Sequence, residues 1–200
     1  MPRAGLDRRK LVEAAILLVD REGLDGLTFR ALADVLGVKP PSLYNHVESF
    51  DGLVGELRLT AMRELNGRIT RAAAGKAGGD AIRAIATAWR LFAKQHPGLY
   101  ATTVKAATRR DRALSAESAA LMSLVLDVLT GFGWHGADAI HAARALRSSL
   151  HGFVVIERGD GFGLPPARDV SFEWMVDMLV TGLSVGKPST GGSYSHDRLI

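Results

Sequence analysis

Residues 28–47, TFRALADVLGVKPPSLYNHV, constrain the fold more than any other stretch, because the turn-forming residues are spaced so tightly. Thr28 precedes an apolar-periodic run from Phe29 to Leu36, and a threonine hydroxyl there can accept a free N–H of the first helical turn. Gly37 ends the run, since glycine enters the left-handed region with no Cβ clash. Lys39 precedes a proline and is biased toward extended backbone. Pro40 and Pro41 then open a third helix expected to reach about Val47, because the first turn has no use for the N–H groups that proline lacks. Ala33 and Gly37 are small where two helices must cross, and Leu32, Leu36, Val38 and Leu43 supply a shared core. The pattern is that of a helix-turn-helix.

Turning the third helix by about 100° per residue puts Leu43 and Val47 on one inward edge, with Pro41, Ser42 and Asn45 roughly opposite. Tyr44 and His46 fall on the two flanks. Such a face suits a DNA major groove, with central residues at base edges and flanking ones at phosphates. Thr28 and Arg30, at the start of the second helix, are candidate phosphate anchors, because free N–H groups and the helix dipole attract an anion there. Lys39 is a candidate for guanine or phosphate. Small helical pairs crossing at Ala and Gly also occur in proteins that bind no DNA, so the geometry alone leaves both readings level.

The remaining chain is expected to be all-α. Leu11, Ala14, Ala15, Leu18 and Val19 form a helical stripe between Asp7, a candidate N-cap, and Gly23. Asp51 is expected to cap a connecting helix over 51–73, and AAAGKAGGD marks a boundary between a DNA-binding domain, 1–50, and a larger domain, 74–186. Helical patterns follow over about 80–95, 97–107, 112–131, 137–158 and 171–185, giving about nine helices in total. Residues 187–200, rich in Gly and Ser, read as a flexible tail.

Composition narrows the function. The 200 residues contain no cysteine, which excludes disulfides and thiolate metal sites. The formal charge is +4, yet residues 1–50 hold seven basic and seven acidic side chains, so DNA contact has to come from placement. The N-terminal segment lacks a signal-like apolar core, and no uninterrupted apolar run reaches the length of a membrane span. The expected location is therefore cytoplasmic, with no membrane partner. His135, His141 and His151 lack the i, i+4 spacing of paired metal ligands, and no nucleophile–base set or phosphate loop is evident. Neither a metal, nor a cofactor, nor catalysis is expected.

Residues 23–57, GLDGLTFRALADVLGVKPPSLYNHVESFDGLVGEL, resemble the tetracycline-repressor (TetR) family of bacterial regulators. The resemblance rests on Thr28, Ala33, Gly37, Val38, Leu43, Tyr44 and His46. It implies binding of operator DNA as a homodimer, with the third helix in the major groove and Tyr44 and His46 on phosphates. Many members carry a lysine at the start of the next helix, where it holds a phosphate, but this chain has Phe50. The contact is expected either to be absent or to be replaced by Arg58 or by an arm containing Arg3, Arg8, Arg9 and Lys10.

RALRSSLHGFVVIERGDGFGLP and SFEWMVDMLVTGL, in the larger region, resemble a C-terminal domain of a subset of the same family, which implies dimerisation and ligand binding. Ala142, Ala145, Ser149, Gly152 and Ile156 form a small-residue seam on one helix, and Phe172, Val176, Leu179 and Leu183 belong to an apolar final helix. All nine are candidates for the dimer interface. Trp89, Phe92, His96, Tyr100 and Met122 are candidates for a ligand pocket, although each is also ordinary core material. The expected function is a repressor released from DNA by a small, largely hydrophobic effector. The alternatives are a helical binding protein or enzyme without DNA function, and a regulator with no small-molecule effector.

Overall fold

A computed structural model describes residues 6–104 and 111–186. Among them the chain is all-helical, with no strand. α1 (Arg8–Glu22) starts at Asp7, whose carboxylate accepts the Lys10 N–H at 2.8 Å, and stops at Gly23. α2 (Phe29–Leu36) starts at Thr28, whose hydroxyl accepts the Ala31 N–H at 3.0 Å. Gly37 closes it in the left-handed region (φ 66°, ψ 32°), and Val38 N–H reaches back to the Ala33 carbonyl at 3.0 Å.

The third helix is not an α-helix running to Val47 but a 3₁₀ helix, Pro40–Asn45. Its bonds are of the i to i+3 kind, Ser42 N–H to Lys39 O and His46 N–H to Leu43 O, each at 2.9 Å.

α3 (Phe50–Ala73) is capped by Ser49, not by Asp51 as expected, with the Ser49 hydroxyl accepting the Gly52 N–H at 3.0 Å. Asp51 lies inside the first turn, where its charge still suits the helix dipole. At 1.5 Å per residue α3 is about 36 Å long, and it packs along α4 (Gly78–Gln95) and α6 (Arg112–Thr130). The segment expected as a helix over 97–107 is helical only as α5 (Pro97–Ala101), and its residues 105–107 lie outside the described residues. α7 (Gly136–Arg158) and α8 (Arg168–Ser184) complete the fold; the expected tail, 187–200, also lies outside the description.

One apolar core runs from Leu11 to Leu183 through both regions, with Leu43, Leu53, Leu57, Phe92 and Leu129 fully buried. The helices of the larger region are strapped by polar bonds between them. Arg90 of α4 pairs with the buried Glu157 of α7 and with Asp169 of α8 at 2.7 Å, while its guanidinium lies over the Phe153 and Phe172 rings. Trp134 Nε1 donates to the Leu183 carbonyl at 3.0 Å. Asn66 of α3 donates to Glu117 of α6 at 2.9 Å. α6 differs from its neighbours: it is long and apolar enough on average to cross a membrane, with mean hydropathy 1.5, although no single run in it is uninterrupted. Here it lies across α3 and α7 with few side chains buried, Leu114 and Leu129 among them.

Candidate nucleic-acid interface and effector cavity

The anchoring expected of the 3₁₀ segment is present. Leu43 is fully buried and Val47 nearly so, which fixes the segment on α2. Pro41, Tyr44 and Asn45 are exposed, whereas Ser42 and His46 are half-buried. Thr28, Arg30 and Lys39 are exposed beside them, Lys39 in the extended conformation that a following proline imposes. The eight DNA-binding candidates thus share one end of the molecule, and six of them stand free of the core.

An aromatic cluster that sequence reasoning missed holds this surface. The Phe29 ring packs edge-on against Tyr44, centroids 5.0 Å apart, and against Phe50 at 5.8 Å. Tyr44 keeps 59% of its surface exposed, so one side is braced and the hydroxyl end is left outside. Phe50, the departure from the family pattern, is part of that brace. Neither proposed substitute for a lysine there is free in this conformation. Arg58 Nε donates inward to the Thr102 carbonyl at 3.0 Å, and Arg8 is paired with Glu56. Arg9 lies 3.7 Å from Glu13, and Arg3 falls outside the described residues.

A cavity of about 420 Å³ opens between α3, α4, α5, α6 and α7. Met62, Leu65, Trp89, Leu121, Met122 and Val125 give it apolar walls, and it adjoins a smaller apolar recess of about 40 Å³ that shares Trp89 and Val125. Three of the five expected pocket residues, Trp89, Tyr100 and Met122, line it. Phe92 and His96 do not: Phe92 is fully buried in the core, and His96 Nδ1 bonds Asp20 of α1 at 2.9 Å.

The polar wall was not anticipated. Trp89 Nε1 donates to the Tyr100 hydroxyl at 3.0 Å, and that hydroxyl lies 2.7 Å from His151 Nδ1. Burial pushes the Tyr100 phenol above its ordinary pKa. Burial pushes His151 down, and the Arg147 charge adds to the effect. A neutral His151 uses the phenol proton by accepting it at Nδ1, which leaves its own proton on Nε2. Arg58, Arg144, Arg147 and Ser148 complete this side. The sequence signal existed: residues 144, 147, 148 and 151 fall at i, i+3, i+4 and i+7, a polar stripe on a helix read above only for its apolar seams.

The dimer candidates divide between two sides. On α7, Ala145 and Ile156 are exposed and Ser149 and Gly152 half-buried, whereas Ala142 faces the core. Phe172, Val176 and Leu183 are buried within the chain itself and Leu179 is half-buried, because that side of α8 packs on α4 and α7. The apolar residues left outside are Val170, Trp174 at 66% exposure and Met178 at 52%, spaced at about one turn.

α5 links the cavity to α1. Its Tyr100 lines the cavity, and two residues earlier Gly98 meets the end of α1 so closely that a Cβ there would lie 1.8 Å from the Val19 carbonyl oxygen. Asp20 of α1 accepts the Gly98 and Leu99 N–H groups at 2.9 and 2.8 Å, capping α5 from the DNA-binding end.

Comparison with known proteins agrees with this geometry. The chain is 40% identical over 193 residues to an uncharacterised HTH-type transcriptional regulator of Mycobacterium tuberculosis, covering 96% of this chain and 88% of that protein. It is 33% identical over 186 residues to another from Bacillus subtilis, covering 92% and 96%. The family pattern described as "Tetracyclin repressor-like, C-terminal domain" matches residues 82–179. The chain belongs to the TetR family. Solved structures share the fold. One from Rhodococcus, of unknown function, superimposes with a TM-score of 0.74 at 23% identity over 92% of this chain and 99% of that one. A TetR variant from Acinetobacter baumannii in complex with minocycline gives 0.68 at 23% identity, covering 90% and 98%.

Proposed function

We propose that this TetR-family member is a transcriptional repressor that binds operator DNA as a homodimer and leaves it when a small molecule fills the cavity. The observation that carries this reading is the position of α5, which has one residue in the cavity wall and another pressed against the backbone of α1. A ligand that displaces Tyr100 acts on a backbone contact with no slack, and the displacement passes to the helices that carry the 3₁₀ segment. The ligand's preference for one arrangement of α5 is then the free energy that shifts the population away from the DNA-bound form.

The dimer is formed by the outer faces of α7 and α8. Ala145 and Ile156 on one helix, and Trp174 and Met178 on the other, make an exposed apolar surface that a two-fold axis pairs with itself. The two 3₁₀ segments then address a palindrome. Tyr44 and His46 contact phosphates, with Thr28 and Arg30 at the start of α2, and Lys39, Pro41, Ser42 and Asn45 face the base edges. The similarity of the fold to a TetR variant that binds minocycline supports a ligand in the helical cavity. No catalytic role is needed for any of these residues, and a cytoplasmic location follows from the DNA partner.

The test is selection of bound fragments from genomic DNA by the purified protein, followed by footprinting. A protected palindrome with its half-sites one helical turn or a multiple apart is expected. Uniform, unselective retention of fragments would refute the reading.

A further inference from the structure

We propose that the cavity takes an amphipathic anion, with an apolar body lying between α3, α4 and α6 and an acidic head group seated at Arg144 and Arg147 on α7. The proposal rests on the reading of the cavity as an effector site.

The charge of the lining singles out this class of ligand. Arg58, Arg144 and Arg147 all border the cavity, and none of its lining residues is an aspartate or a glutamate. Elsewhere in the described structure arginines are commonly matched with carboxylates: Arg68 with Glu64 at 2.7 Å, Arg83 with Asp177 at 2.9 Å, Arg90 with Glu157 and Asp169, and Arg168 with Asp160 at 3.0 Å. Arg144 and Arg147 have no carboxylate within 4.0 Å among the described residues. They stand one helical turn apart at the exposed rim, with Ser148 beside them. A guanidinium carries five donors and no acceptor, so a site with three of them is rich in donors, and its hydroxyl groups supply no charged acceptor to match them.

The other polar groups agree. The Tyr100 hydroxyl is occupied by Trp89 and His151, and the remaining proton of a neutral His151 sits on Nε2 as one more donor. Carboxylate, sulfonate or phosphate oxygens answer these donors with charge-assisted bonds, which are about twice as strong as neutral ones. A cationic ligand would meet three like charges with no counter-charge. A neutral ligand would cover the guanidinium groups and leave them with fewer partners than water gives. Beyond the rim the walls are Met62, Leu65, Leu121, Met122 and Val125, so the head group stays at the mouth and the body enters an apolar space. The lightly buried α6 forms one wall, and its flexible Met122 and aliphatic neighbours adapt to the shape of that body.

Two fluorescent probes with the same aromatic body test this: anilinonaphthalene sulfonate and its uncharged parent, phenylnaphthylamine. Titration into the full-length protein should show the sulfonate binding about tenfold or more tightly than the parent. Arg144→Met with Arg147→Met should abolish that preference by costing the sulfonate about tenfold, since both side chains are exposed and removing them leaves the core intact. Ser118→Phe, which fills the cavity from α6, should weaken both probes together. Equal affinity for the two probes, or a preference that survives in the double variant, overturns the anionic head group while the cavity remains a binding site. Probe binding that ignores Ser118→Phe, or no binding of either probe, overturns the reading of the cavity itself.

Discussion

Three helix starts near the DNA-binding end are closed by a side chain from their own segment: Asp7 to Lys10, Thr28 to Ala31 and Ser49 to Gly52, all at 2.8–3.0 Å. In the larger region the helices beginning at Gly78, Pro97, Gly136 and Arg168 receive no such bond from their cap residues. α5 is capped instead from across the structure by Asp20. The DNA-binding end is therefore specified by local chemistry, and the cavity end by contacts between distant helices. On the proposed function the recognition surface keeps its shape while the cavity changes its contents, and this division permits both.

The most severe way to break the contrast is at the junction. Gly98→Ala puts a methyl group into the Val19 carbonyl, and neither backbone can yield without moving a helix. A loss of about 3 kcal/mol is expected in urea unfolding, at the top of the range for overpacking; a loss within error would mean that α5 is free to slide. Next is the strap of the larger region. Arg90→Met leaves Glu157 buried without its main partner, and with Lys94 still 3.6 Å away the cost should be about 2 kcal/mol, less than for a wholly orphaned charge.

The same strap has a pH signature. The Arg90 guanidinium holds the Glu157 carboxyl below its ordinary range. Its contribution is complete above the unfolded carboxylate pKa of about 4.3 and is lost as pH falls through the lowered native value. Urea midpoints measured below about pH 5 should fall less steeply in Arg90→Met than in the parent protein.

At the locally specified end, Thr28→Ala removes one cap and should cost about 1 kcal/mol, with no effect on probe binding in the cavity. A change in cavity affinity would show that the two ends are less separate than their capping suggests. The smallest expected effect is that of His151. Its folded pKa is depressed, so it contributes stability above the unfolded value of about 6.5, and that contribution is lost as pH falls through the native value. His151→Gln should flatten the decline in thermal stability as pH falls below about 7.

What the sequence revealed follows the same division. Thr28, Gly37, Lys39 and the double proline announce their conformations locally, so the helix-turn-helix, the burial of Leu43 and the exposure of Asn45 were legible. The 3₁₀ geometry was not, because prolines at the first two positions open an α turn and a 3₁₀ turn equally well. In the larger region, periodicity located α4, α6, α7 and α8 to within a few residues, yet it could not say which of two apolar faces of α8 meets the core. Phe172 and Trp174 differ in burial only because α4 and α7 lie on one side. The cavity depends on five helices meeting, so the polar stripe at 144, 147, 148 and 151, present in the sequence, gains its meaning only once α6 is laid opposite α7. The Phe29–Tyr44–Phe50 cluster joins residues from three elements and has no sequence period to betray it.

The central claim is that the 3₁₀ segment reads DNA, and fluorescence anisotropy with the footprinted fragment and a scrambled control tests it most directly. The native protein should prefer its site by about a thousandfold or more at physiological salt. Asn45→Ala, exposed and outside the aromatic brace, should weaken specific binding by about tenfold and leave the scrambled duplex unaffected. Equal affinity for both duplexes, unchanged by Asn45→Ala, would contradict the account.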